Sequence, residues 1–178
     1  QYDPNSKLLP PAAGLVVRRG AWLNSVPDHC ILSGRTPGNM LTGEDLEALS
    51  YIRQAGWEIW YNPAMQIQHK IESYRLQKNY LVSFFKGIGL SRYVTRTIGM
   101  KPWLKPLATL TYMVNDCRKI FVHFIQHGKT ARTDPVAASQ LALFIGSVIS
   151  PFYLWYNGYL NQQFASIDRY KIKSRTLN

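Results

Sequence analysis

The chain has 178 residues and a net charge of +11, enough length for one domain or a domain with an appendage. Its two cysteines, Cys30 and Cys117, lie far apart, which excludes a disulfide framework and a cysteine-knuckle metal site and points to a reducing compartment. The charge is divided unevenly: residues 1–72 hold six basic and seven acidic residues, net −1, and residues 73–178 hold fifteen and three, net +12.

Residues 1–12 contain three of the ten prolines and little periodicity, and read as a loop. The chain starts at Gln1 with no charged and then apolar leader, so no signal peptide is expected and the natural N-terminus is expected to lie upstream. The β-branched pair Val16–Val17 predicts a strand over Gly14–Arg18. Pro27, Gly34, Pro37, Gly38 and Asn39 make residues 24–42 a long loop, of the kind that is functional or disordered. The segment from Ser33 to Thr42 has few apolar anchors and is expected to be mobile.

A helix is predicted from near Gly43, with Leu46, Leu49 and Ile52 on one face and Gly56 as its stop. "WEIWYNP" and "MQIQH" then predict two short strands about a turn at Asn62–Pro63. In the second of these, Met65, Ile67 and His69 share a face. Helical spacing returns at Ser73 and is expected to end near Gly87 and Gly89. A further helix is predicted over Lys105–His127, with Leu107, Leu110, Met113, Val114, Cys117, Ile120, Phe121 and Phe124 inward. Asp134–Pro135 read as the N-cap and first residue of the next helix.

No Asp, Glu, Lys or Arg occurs between Asp134 and Asp168. The aromatics Phe152, Tyr153, Trp155, Tyr156 and Tyr159 gather there rather than among the basic residues. A nucleic-acid surface would interleave the two kinds. The expected partner of the basic half is therefore an anionic membrane surface and not nucleic acid, with a plain packed helical subdomain as the rival. The charge-free stretch is long enough to cross a bilayer, but Gln140, Ser147, Ser150, Pro151 and Asn157 suit an interfacial or re-entrant helix better.

Glu44 and Asp45 stand at the loop–helix junction. Acids there either favour the positive end of the helix dipole or, where a substrate can reach them, take a proton from a hydroxyl. The motifs "GLVVRR" (14–19), "LSGRTPGNMLTGED" (32–45), "IRQAGWEIWYNP" (52–63) and "IQHKI" (67–71) together resemble the C-terminal half of family 2 glycosyltransferases. More narrowly, they resemble the cyanobacterial polysaccharide-biosynthesis type, including members linked to hormogonium polysaccharide. The likeness covers residues 13–75 and thins over 76–178.

The resemblance implies an α/β fold: the acceptor-side half of a GT-A domain in residues 1–75, followed by a helical extension in residues 76–178. It implies transfer of a sugar from a nucleotide-sugar to a glycan or lipid-linked acceptor, with inversion, at the cytoplasmic face of the membrane. Asp45 would be the catalytic base and Glu44 its support. Arg35, Arg18, Arg19 and Arg75 would bind substrate, and His69 would lie near the metal and diphosphate. A divalent metal, Mg or Mn, is implied, held mostly by a nucleotide-binding half with an Asp-x-Asp motif that this sequence lacks. The chain is therefore expected to be a fragment, inactive alone. The alternative is a non-catalytic membrane-docking or scaffold module.

Overall fold

A computed structural model describes residues 9–10, 12–32, 34–35 and 40–158. The elements are α1 (Arg19–Ser25), α2 (Glu44–Gln54), a 3-10 turn (Ser73–Leu76), α3 (Lys78–Thr97), α4 (Lys105–His127) and α5 (Pro135–Tyr156), with short 3-10 turns before and after α4. Among the described residues there is no strand. This overturns the α/β expectation and the strands predicted over Gly14–Arg18, 57–61 and 65–69. The β-forming side chains are present, but a strand exists only when its N–H and C=O groups meet a neighbouring strand. Here Val16, Trp60, Tyr61, Ile67 and Ile71 stand exposed on segments with no ladder.

The helix ends follow local chemistry. Asp134 accepts the Ala137 N–H at 2.7 Å and Pro135 opens α5, an N-cap with proline at the first position. Gly56, at φ +88°, follows the end of α2, a conformation open to glycine without cost. Gly87 and Gly89 do not stop α3, which runs on to Thr97. They are packing positions instead. A Cβ on Gly89 would sit 2.5 Å from the Leu143 carbonyl oxygen and 2.9 Å from the Gly146 Cα. The backbones of α3 and α5 thus touch there, which no larger residue permits.

Two small cores hold the chain together. One joins Ile31, Leu32 and Leu41 of the long loop to Leu90 and Val94 of α3 and Leu154 of α5. The other joins Ala21 of α1 to Leu49 and Ile52 of α2, with Leu15, Val17 and Ile59 against them. Leu32 and Leu41, on either side of the middle of that loop, are each almost fully buried. Ser33 and residues 36–39 lie outside the described residues, as do Tyr159 and the chain beyond it.

The inward face predicted for α4 is reversed. Leu107, Leu110, Val114, Phe121 and Phe124 are exposed, as is Cys117. Met113 and Ile120 are partly buried, and the fully buried residues of α4 are Asp116 and His123. The periodicity was read correctly as one face; what lies against that face is a tertiary property.

Candidate functional site

The site grows from the start of α2. Its N-cap is Gly43, left-handed at φ +103°, which has no side chain of its own to cap with. The acids of the first turn bond N–H groups at this end, and Asp45 also reaches beyond it. Asp45 accepts the Ala12 N–H through Oδ2 at 2.9 Å and the Leu46 N–H through Oδ1 at 2.8 Å. Glu44 accepts the Gly43 N–H at 3.0 Å, and its carboxyl carbon packs on Gly34, where a Cβ would come within 3.0 Å of it. The two neighbouring acids thus reach in different directions, Asp45 to the N-terminal segment and Glu44 to the long loop. A carboxylate has about four acceptor positions, so Asp45, half-buried and bonded twice, keeps capacity for a proton.

Next to Gly34 stands Arg35. Its Nη1 donates to the Tyr80 hydroxyl at 3.2 Å, and Arg75 Nε donates to the same oxygen at 3.1 Å. The Arg35 guanidinium lies 5.3 Å from the Phe84 ring centre, and that of Arg75 lies 5.6 Å from the Tyr80 ring centre. Tyr80 and Phe84, one turn apart on α3, stack with each other. Among the described residues no carboxylate pairs with either arginine, since the ion pairs all centre on Asp116. Two guanidinia on one hydroxyl, without a counter-charge, form an anion-seeking arrangement. Three of the residues singled out from sequence, Glu44, Arg35 and Arg75, are thereby brought together. Tyr80 and Phe84 went unrecognised as members because their helical spacing reads as plain packing.

Arg18 and Arg19 are placed elsewhere. Arg18 precedes α1, Arg19 begins it, and both are exposed. Arg18 lines an open cavity of about 840 Å³ between residues 13–18 and 56–67. Met65 and Ile67 face Gly14 across it, 3.4–3.6 Å from the position a Cβ would take there. The two meet Gly14 although no strand aligns them, and nothing puts His69 beside them. His69, two residues on, is exposed. Among the described residues no group of three His, Cys, Asp or Glu could hold a metal. A single exposed histidine does not fit a divalent ion that asks for several oxygen ligands.

A further acid went unrecognised. Glu47 is fully buried and accepts the Ile31 N–H at 3.0 Å and the Leu32 N–H at 2.8 Å, one on each oxygen. It fastens the loop to α2 beside the site. Burial pushes its carboxyl above the usual carboxylate range, and the two backbone bonds and Tyr51 offset this only in part. The neighbouring Cys30 thiol is pushed up to about 12 by burial and by the Glu47 charge. Spacing gave no signal for it: at 3.6 residues per turn Glu47 lies across α2 from the face of Leu46, Leu49 and Ile52. No family model, curated protein or solved structure matches the chain.

Proposed function

We propose that the chain serves transfer of a sugar from a nucleotide-sugar to a glycan or lipid-linked acceptor, the reaction type of family 2 glycosyltransferases that its motifs resemble. The observation that supports this reading is the two-arginine grip on Tyr80, beside which Glu44, the chain neighbour of Asp45, packs on Gly34. Direct displacement needs a base and a hold on the leaving group. Asp45 takes the proton from the acceptor hydroxyl, and that oxygen forms a bond to the anomeric carbon. The bond from that carbon to the diphosphate oxygen breaks, and the electron pair leaves with the nucleoside diphosphate. Attack opposite the departing group inverts the centre. Arg35 and Arg75 stabilise the leaving charge, a role suited to planar, always-charged guanidinia. Glu44 keeps the loop that carries Arg35 against α2. Arg18, on the cavity wall, is assigned to the acceptor. Arg19 and His69 receive no chemical role in this reading.

The test is made in the full-length protein. Asp45→Asn is expected to lower turnover by about 100-fold or more, the usual worth of a general base, with nucleoside diphosphate affinity unchanged. Arg35→Ala and Arg75→Ala are expected to weaken nucleoside diphosphate binding instead. Near-native turnover in Asp45→Asn would show that the carboxylate only pins Ala12. Unchanged affinity in both arginine variants would remove the diphosphate grip.

A further inference from the structure

Helix α4 has its polarity turned inside out. Its buried residues are the polar Asp116 and His123, while Leu107, Leu110, Val114, Phe121 and Ile125 are each at least 60% exposed. Cys117 is exposed among them. These positions recur at helical spacing and make one stripe, about 27 Å long at 1.5 Å per residue. The interior they avoid is ionic: Asp116 pairs with Arg96, Arg92 and Lys119. Helix α5 follows the pattern in part. It buries Leu141 and Leu154, but its other buried residues are small, among them Ala138, Ser139, Gly146, Ser147 and Ser150, while Ile149, Phe152, Trp155 and Tyr156 are exposed. Gly146 lies on Gly89 of α3. The Ser150 hydroxyl donates to the Leu90 carbonyl and accepts the Tyr93 N–H. Small residues and interhelical hydrogen bonds inside, with large apolar residues outside, are the packing rule of helices in lipid.

Charge selects the occupant. Residues 78–158 carry ten basic residues and two acidic ones, and both acids are spoken for, Asp116 by its arginines and Asp134 as the cap of α5. Lys101 and Lys105 precede the stripe and Lys129 and Arg132 follow it. Two copies of such a surface would repel, whereas an anionic lipid surface attracts it. The charged side chains on α3, which packs along α5, rule against a lone span by α5 and favour a helix lying in the membrane plane.

We infer that α4 docks in the plane of an anionic lipid bilayer, with the stripe from Leu107 to Ile125 in the acyl boundary and Lys101, Lys105, Lys129 and Arg132 at the headgroup phosphates. This stands apart from the sugar-transfer reading, since it uses none of the same residues.

The experiment uses the full chain with an environment-sensitive fluorophore on the exposed Cys117; the half-buried Cys30 thiol, pushed up to about 12, does not compete for the label. Vesicles of phosphatidylcholine alone, or with phosphatidylserine, are floated at low and high salt. Binding to the phosphatidylserine vesicles is expected to weaken in high salt without vanishing, because salt screens the charges but not the apolar contact. The fluorophore is expected to shift to the blue and to be quenched more by lipids brominated near the headgroup than near the chain end. Val114→Asp with Phe121→Asp, both on exposed positions that the fold does not use, is expected to lower vesicle binding by about 100-fold or more. Replacing the four flanking cations by glutamine is expected to remove the salt dependence. No flotation with phosphatidylserine at low salt overturns the inference. So does flotation with an unshifted fluorophore, which places another face on the lipid. Stronger quenching from the chain end overturns the in-plane position. A blue shift without lipid, accompanied by dimer formation in sedimentation, assigns the stripe to a second copy instead.

Discussion

Each half of the molecule buries a carboxylate completely, and the two are held in opposite ways. Glu47, in the loop-rich half, is met by two neutral backbone N–H groups from Ile31 and Leu32. Asp116, in the helical half, is met by cations: Arg96 through both nitrogens, one of these bonds at 3.1 Å, with Arg92 and Lys119 each at 3.9 Å. Backbone dipoles satisfy an acid's hydrogen bonds but leave its charge uncompensated, so burial raises the Glu47 pKa. The cations compensate the charge of Asp116 and more, leaving a positive excess. The first arrangement fastens a loop beside a site. The second fills the interior of a helix whose apolar side has turned away.

The comparison breaks most sharply at Asp116. Asp116→Ala strands partly buried cations and is expected to cost about 3–5 kcal/mol, measured by urea unfolding. Combining Asp116→Leu with Arg96→Met is expected to recover most of that loss, because the charge and its partner leave together. A double variant as unstable as Asp116→Ala would mean that packing, not charge, holds the site.

Glu47→Ala leaves two buried N–H groups without acceptors and is expected to cost about 2–4 kcal/mol. Its pH behaviour follows from its burial. The folded-state pKa of Glu47 lies above its ordinary value of 4.5, so the native state holds the proton more tightly than the unfolded chain does. Stability is therefore lost as pH rises from about 4.5 through the folded pKa, with a slope of up to about 1.4 kcal/mol per pH unit. In Glu47→Gln this component disappears. Subtracting the two stability–pH curves measures it, and a flat difference would mean that the native carboxylate is not penalised.

Asp134→Ala removes the side-chain cap of α5, which packs on α4, and is expected to cost about 1 kcal/mol. Its effect should fall on α5, seen as faster amide exchange over residues 135–140 with α2 unchanged. The smallest perturbation leaves stability alone. At pH 8 only about 10⁻⁴ of Cys30 is thiolate given its pKa of about 12, so brief alkylation of the native protein is expected to modify Cys117 and spare Cys30. Peptide mass spectrometry reads this directly, and equal labelling would show the Glu47 pocket to be open.

What the sequence by itself determined is local. The span of α4 from Lys105 to His127, the Asp134–Pro135 start of α5 and the Gly56 stop of α2 depend on residues within a turn of each other, and all are met. The grouping of Leu107, Leu110, Val114 and Phe121 on one face is likewise a matter of spacing. Only the tertiary structure decided what each face meets. Periodicity states that side chains share a side and is silent on whether protein or surroundings cover it, so α4 was assigned the wrong way round. Gly87 and Gly89 carry the same lesson: a glycine serves equally as a helix stop or as a place for two backbones to touch, and the Gly146 backbone chose. The segments over 14–18 and 57–72 have strand-forming side chains, yet strand pairing belongs to two segments at once. Within the site, the acids at the start of α2 were legible because a loop–helix junction is a local feature. The meeting of Arg35 and Arg75 on Tyr80 joins residues 45 and 5 positions apart, and the burial of Glu47 depends on a loop 15 positions upstream. Such separations are closed only by the folded chain.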